Sequence, residues 1–502
     1  MPRGFYNRLM TPQTHRHALY TVDQVRALDQ RAIDDLGIPG FELMRRAAWA
    51  ALSSLRRHWP YARRIAVYAG QGNNGGDGFL LAALASEASM HVDVWSVGGP
   101  SHGDAARARA ACEAAHVHIA DGDAPDVLAE ADVIVDALYG TGLRRAPEGA
   151  TAALIERINH SGIPVLALDV PSGLNADTGQ CPGAAIRAAV TVSFIAAKRG
   201  LYTGKAAGQV GLLELDTLGL PDELWADRSA YASLLDVHTL PRRARDAHKG
   251  NNGHVLAIGG DHGTAGAIRL CGEAALRAGA GLVSVATQAE NIIALNSARP
   301  ELMAHGVHGP QALEPLLKKA SVLAVGPGLG QAGWGHAMWL TALEAGKPLV
   351  LDADGLNLLA LEPRRFEQAV VMTPHPGEAA RLLGISTREI EADRYAAVTQ
   401  LATRYNAVAV LKGAGSLIAA PDGRLAVCLW GNPGMASGGM GDLLTGVIAA
   451  LLAQGLDAWE AACLGVGLHA RAGDAAAQEG ERGLIASDLL GPIRRLLNEN
   501  AA

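Results

Sequence analysis

The chain is predicted to fold as two α/β domains, the first built on a doubly wound parallel sheet. Three observations carry this. Short β-branched, apolar runs alternate with helical stretches over most of the length, and that alternation implies parallel strands covered on both faces. The pattern fails once, at residues 218–245, where Leu218-Gly219-Leu220-Pro221-Asp222 and Pro241-Arg242-Arg243-Ala244-Arg245 flank a mixed segment. Finally, 502 residues exceed one ordinary core, so two or three domains are expected. The boundaries are drawn at 1–226 and 235–502. The halves show no repeat, which makes the chain a fusion.

Residues 22–58 read as two helices broken at Gly37-Ile38-Pro39-Gly40. Strands are expected at Arg64–Ala69, His91–Val97, Val133–Leu138, Pro164–Val170 and Ala189–Phe194. In the second half they are expected at His254–Ile258, Leu282–Ala286, Ser321–Val325, Pro348–Asp352, Ala369–Met372 and Val408–Leu411. A hairpin follows around Pro421-Asp422-Gly423. Hydrophobic residues make up 49% and charged residues 19%, which describes a folded chain and not a disordered one. A net charge of −7 without a basic run argues against a nucleic-acid surface. Apolar runs are too short to span a membrane, and residues 1–20 lack a secretory core segment. The five scattered cysteines have no metal spacing and read as reduced thiols, so a cytoplasmic protein is expected.

In parallel sheets ligands gather beyond the carboxyl ends of the strands. Gly70-Gln71-Gly72-Asn73-Asn74-Gly75-Gly76-Asp77-Gly78 follows the first strand and is expected to lead, as a loop, into a helix over Phe79–Ala88. Such a loop suits pyrophosphate contact by backbone N–H groups; a tight strand–helix turn is the alternative. Asp136 ends one strand, and Gly140-Thr141-Gly142-Leu143-Arg144-Arg145 follows it. Two arginines there suit a phosphate, unless they are solvated surface charges. Asp169 ends the next strand before Val170-Pro171-Ser172-Gly173.

The set GQGNNGGDG, DALYGTGLRR and LALDVPSG resembles the NAD(P)H-hydrate epimerase family over most of residues 20–220. The resemblance implies a Rossmann-like domain that binds the hydrated dinucleotides NADHX and NADPHX through Asn73, Asn74, Gly75, Gly76, Asp77, Gly140, Thr141, Gly142, Leu143, Arg144, Arg145, Ala146 and Asp169. It further implies a potassium ion on Asn74, Asp136 and Ser172, oxygen donors that suit a hard cation. Asp169 is the candidate for proton transfer.

In the second half, four glycine-bearing loops follow strands: Gly259–Ala267, Gly326-Pro327-Gly328-Leu329-Gly330, Asp352–Asn357 and Thr373-Pro374-His375-Pro376-Gly377-Glu378. Lys412-Gly413-Ala414-Gly415-Ser416 follows another strand and suits a nucleotide phosphate, or is an ordinary surface turn. Asn432-Pro433-Gly434-Met435-Ala436-Ser437-Gly438-Gly439-Met440-Gly441-Asp442 then opens an amphipathic helix. Asp442 is either that helix's N-cap or a base beside an anion site. The order of these loops matches a ribokinase-like scaffold. The motifs GPGLG, TPHPGE, LKGAGS and NPGMASGGMGD resemble the ADP-dependent NAD(P)H-hydrate dehydratase family across roughly 235–500, with Ser416 where threonine is more usual.

That resemblance implies hydrate contacts from Ala267, Gly328, His375 and Asp442, and nucleotide contacts from Lys412, Gly413, Ala414, Gly415, Ser416 and Gly441. ADP is the implied co-substrate with Mg²⁺, Asp442 the implied base, and a homo-oligomer is expected. The rivals are a ribokinase-like small-molecule kinase fused to a dinucleotide-binding sensor, and an N-terminal domain that binds a dinucleotide without catalysis.

Overall fold

A computed structural model describes residues 17–122, 130–142, 145–226, 229–238 and 240–499. The chain forms two compact units that divide between Ser233 and Leu234. Arg144 and Leu143, both implied substrate contacts, lie outside the described residues.

The N-terminal unit carries a seven-stranded sheet in the order Ile119–Asp121, His91–Ser96, Arg64–Ala69, Val133–Ala137, Val165–Leu168, Val190–Phe194, Leu212–Asp216. Every pairing in it is parallel. The order reverses between Arg64–Ala69 and Val133–Ala137, so the loops after those two strands open the crevice of a doubly wound sheet. Both faces are covered, which is why the central strands are apolar without alternation: all of Val133–Ala137 and Val165–Leu168 is buried. The edge strands Ile119–Asp121 and Leu212–Asp216 were not expected. Their positions are only half-buried or exposed, so they lack the apolar run that marks the inner strands.

The glycine-rich segment corrects the sequence reading. Instead of a loop reaching Gly78, the helix begins at Asn73 and runs to Glu87. Glycine and asparagine are poor helix formers, but close packing overrides that preference. A Cβ on Gly75 would overlap the Gly70 carbonyl, and one on Gly78 would press on Ala137. The glycines let the helix sit directly on the sheet.

In the C-terminal unit the sheet runs Leu425–Val427, Leu417–Ala419, Val408–Leu411, Val370–Met372, Leu349–Leu351, Val322–Val325, His254–Ile258, Leu282–Thr287, Met303–Gly306. The first two strands form an antiparallel hairpin against Val408–Leu411, and the remaining pairs are parallel. The reversal falls between His254–Ile258 and Val322–Val325. Helices Ala265–Arg277 and Met440–Ala453 lie against each other there. Gly446 makes the contact possible, since a Cβ would overlap the Cys271 carbonyl. Among the described residues no helix is long and apolar enough to cross a membrane.

Candidate active sites

At the crevice of the N-terminal sheet a cavity of about 770 Å³ opens. Its wall includes Asn73, Asn74, Asp77, Gly140, Thr141, Gly142 and Asp169, so three separate segments named from sequence meet there. Gly75 and Gly76 are not on that wall, being packed against Gly70 and Met44. Arg145 is exposed and, with Ala146, also lies off it. Four acids line the cavity, Asp29, Asp77, Asp104 and Asp169, together with Lys198. Burial pushes Asp77 well above the usual carboxylate range, and Asp169 and Asp29 add to the effect. Asp29 is raised too, first by burial.

Asp169 adopts a left-handed backbone (φ 62°), a strained state for a residue with a Cβ. Its Oδ1 pairs with Lys198 Nζ and accepts the Phe194 N–H at 3.3 Å. Sequence reasoning missed Asp29 and Lys198. The first sits mid-helix among other charges, and the second follows an apolar strand end, where it reads as an exposed residue.

Off the cavity wall, Asp136 accepts from Ser172 N (2.8 Å), Ser172 Oγ (2.6 Å) and Leu138 N (3.2 Å). Burial drives its carboxyl up to about 6 despite those bonds. Asn74 is buried with both amide atoms unpartnered among the described residues, an arrangement that calls for a ligand or ion.

The C-terminal site assembles around Asp352. This carboxylate is buried, takes Lys412 Nζ at 2.7 Å and Thr445 Oγ1 at 3.0 Å, and carries the Gly326 loop against its backbone. Burial opposes its charge, but Lys412 and the two threonines Thr373 and Thr445 outweigh that and hold it below the usual range. Lys412 is raised in turn: burial works against it, and Asp352 and Glu378 prevail. Gly441 leaves room for this pair, since a Cβ there would stand 3.3 Å from both Asp352 Oδ2 and Lys412 Nζ.

Asp442 is not the N-cap. Gly439, at φ 89°, occupies that position, and Asp442 stands three residues further on in the first turn. Burial and the neighbouring Asp352 push its carboxyl up to about 6, against the pull of Lys412. The Gly328 loop docks on the Ala265–Arg277 helix start through Asp261 N (2.6 Å) and Thr264 Oγ1 (2.8 Å), which brings Ala267 and Gly328 to one edge. His375 caps helix Pro376–Leu383: its Nδ1 accepts the Gly377 N–H at 3.0 Å, and its own backbone N–H donates to the Glu378 carboxylate at 2.7 Å. Its other nitrogen stays at the half-exposed surface, 3.4 Å from Glu378.

Lys412 was expected to serve a phosphate, and its ammonium is directed at Asp352. The following turn closes on itself through Ser416 Oγ and Gly413 (3.0 Å), with Arg394 beneath it on the Lys412 carbonyl at 3.2 Å. Asp352, Glu378, Thr445 and Arg394 received no role from sequence.

Two α/β sheets, each with glycine-rich turns and perturbed carboxylates beyond the carboxyl ends of its parallel strands, define a two-domain α/β enzyme. The NAD(P)H-hydrate dehydratase profile matches residues 255–495, and the profile of the YjeF-related protein N-terminus matches 40–200. The bifunctional NAD(P)H-hydrate repair enzyme Nnr of Coxiella burnetii is 48% identical over 96% of this chain and 99% of its own. That of Escherichia coli K12 is 46% identical over 97% and 95%. An ADP/ATP-dependent NAD(P)H-hydrate dehydratase from Bacillus subtilis, co-crystallised with ATP and Mg²⁺, aligns with a TM-score of 0.47 and 30% identity, over 52% of this chain and 94% of that one. The chain belongs to the bifunctional NAD(P)H-hydrate repair enzymes, which join an epimerase to a nucleotide-dependent dehydratase and return hydrated NADH and NADPH to use.

Proposed function

We propose that residues 1–226 interconvert the R and S hydrates and that residues 235–502 dehydrate the S form with ADP. The observation that carries the second assignment is Asp442, held in a helix's first turn beside the Asp352–Lys412 pair with a carboxyl pushed up to about 6. Such a group accepts a proton near neutral pH. Asp442 would take the ring hydroxyl's proton as the oxygen attacks the terminal phosphorus of ADP. The bond to AMP breaks, giving a phosphate ester in place of a poor leaving group. Loss of phosphate, with a proton from the adjacent carbon, restores the ring double bond.

The N–H groups of Gly441 and the Gly413–Ser416 turn would face the phosphates, and Lys412 adds positive charge. Ala267, Gly328 and His375 would lie along the hydrate. Magnesium would travel with the nucleotide. Among the described residues no three His, Cys, Asp or Glu side chains form a cage, which suits a cation held mainly by phosphate oxygens.

For the epimerase, Asn73, Asn74, Asp77, Gly140 to Gly142 and Asp169 would hold the dinucleotide, and Asp169 would move the proton. The unpartnered amide of Asn74 supports a potassium site shared with Asp136 and Ser172. A monovalent cation there would supply positive charge beside the substrate's phosphates. A cytoplasmic address rests on the scattered, unpaired cysteines. A homo-oligomer is proposed from the half-exposed Trp49 on helix Gly40–His58 and is read by light scattering.

The test supplies mixed hydrate epimers with ADP, ATP or no nucleotide and follows the near-ultraviolet absorbance of reduced nicotinamide. Full recovery of both epimers with ADP is expected. Recovery of the S form alone would leave the first unit as a binder, and stable phosphorylation of another alcohol would favour a kinase.

A further inference from the structure

Lys198 takes part in none of the steps above, yet it is 1% exposed and reaches the cavity wall. Burying an ammonium is costly unless it is paired and hydrogen-bonded, and this one is fully engaged. It donates to Phe194 O at 2.7 Å, to Ser193 Oγ at 3.1 Å and to Asp169 Oδ1. An ammonium has three N–H donors, so Lys198 is a fixed post and not a nucleophile.

The carboxylate it holds is oriented. Oδ1 of Asp169 takes both Lys198 and the Phe194 N–H. Oδ2 turns the other way, and a Cβ on Gly140 would sit 3.4 Å from it; Gly140 lines the cavity. Asp169 and Ile195, at the ends of adjacent strands, both have left-handed backbones (φ 62° and 66°), so the backbone alone does not secure this geometry.

We propose that Lys198 is the positioning residue of epimer exchange, tethering Asp169 by Oδ1 so that Oδ2 is presented to the hydrate. This rests on the reading that Asp169 moves the proton. Asp29 and Asp77 face the same space, and Arg26 and Asp104 also line it, so the tether also sets which of the carboxylates is held as the paired anion.

The experiment follows exchange of a purified S hydrate by the full-length protein without nucleotide, resolving epimers by chromatography. In Lys198→Ala, kcat is expected to fall about 10²-fold, the scale of a displaced catalytic group, with KM little changed. Ethylammonium added to the buffer should restore kcat with saturation, and Lys198→Arg should retain more activity than the alanine variant. A raised KM at normal kcat, or no rescue by amine and no advantage for arginine, overturns the proposal. Nucleotide-dependent dehydration of the S hydrate by the same samples, with circular dichroism, reports folding. If Lys198→Ala does not fold, Ser193→Ala removes one of the three contacts, and a fall in kcat without a change in KM is expected there too; unchanged kcat overturns the proposal. Asp169→Asn separates the layers. Retained exchange in that variant sinks the role of Asp169. Its loss alongside a normal Lys198→Ala sinks only the tether.

Discussion

The two sheet edges use the same parts in opposite pairings. In the N-terminal unit the buried lysine binds the proposed acid–base residue itself, Lys198 on Asp169. In the C-terminal unit Lys412 binds the neighbour Asp352 at 2.7 Å, and Asp442 stands beside that pair with its carboxyl near 6. On the proposed roles, a lysine on the reacting carboxylate would fix its direction, whereas a lysine on the adjacent one would leave the base basic. Epimer exchange needs a defined face of attack. Phosphoryl transfer needs a group that accepts an alcohol's proton. On the proposed roles, the difference in pairing matches the difference in chemistry.

The sharpest way to break this comparison is to remove one base and read both activities. Asp442→Ala is expected to abolish recovery of reduced dinucleotide, lowering kcat by about 10³-fold or more, in line with loss of a general base. Epimer exchange, followed by chromatography, should stay normal. Near-normal dehydration in this variant would return Asp442 to a structural part.

Next in size is the pairing itself. Lys412→Met leaves Asp352 buried without its cation, and breaking such a pair costs about 3–5 kcal/mol. Thermal melts should show the unit beyond Leu234 unfolding earlier, while the epimerase transition stays in place. Asp352→Asn added to Lys412→Met should recover part of the loss. Additive losses in the double variant would mean that the two side chains do not act as a pair.

Much of this was legible in the chain because parallel sheets write their inner strands as apolar runs. Arg64–Ala69, His254–Ile258 and Val408–Leu411 stand as expected to the residue, and the loops after such strands hold most of the site. Edge strands such as Leu212–Asp216 and Met303–Gly306 were not legible, since half-exposed strands lose that signal. The helix at Asn73–Glu87 hid behind glycines that only the packing against Gly70 and Ala137 explains. The pairings were hidden for another reason. Lys412 and Asp352 are 60 positions apart and follow strands with Val370–Met372 between them, and Lys198 and Asp169 are 29 apart and follow adjacent strands, so only the sheet order brings each pair together. Motifs name residues, but partners come from the order of strands in the sheet.

The smallest predicted effect concerns Asp442 and pH. Its carboxyl stands at about 6 in the folded chain, against an ordinary value of 3.8. Between those values the unfolded chain releases a proton that the folded chain keeps. This group's contribution to stability is therefore full below about pH 4 and is lost as pH rises through about 6. At pH 7.5 the ionised Asp442 should cost about 1–3 kcal/mol, the upper end being two pKa units and the lower allowing for its partial exposure. Asp442→Asn removes that cost, so the inactive variant should be more stable than the parent at pH 7.5. The gain should shrink to nothing near pH 4. Dehydration by the parent should decline with a single proton as pH falls through about 6, because the base is then occupied. Melts of both proteins at pH 4.5, 6 and 7.5 read the first effect, and the rate profile reads the second. A gain independent of pH, or a loss, would mean that Asp442 is already compensated in the fold, and the contrast with the tethered Asp169 would fail.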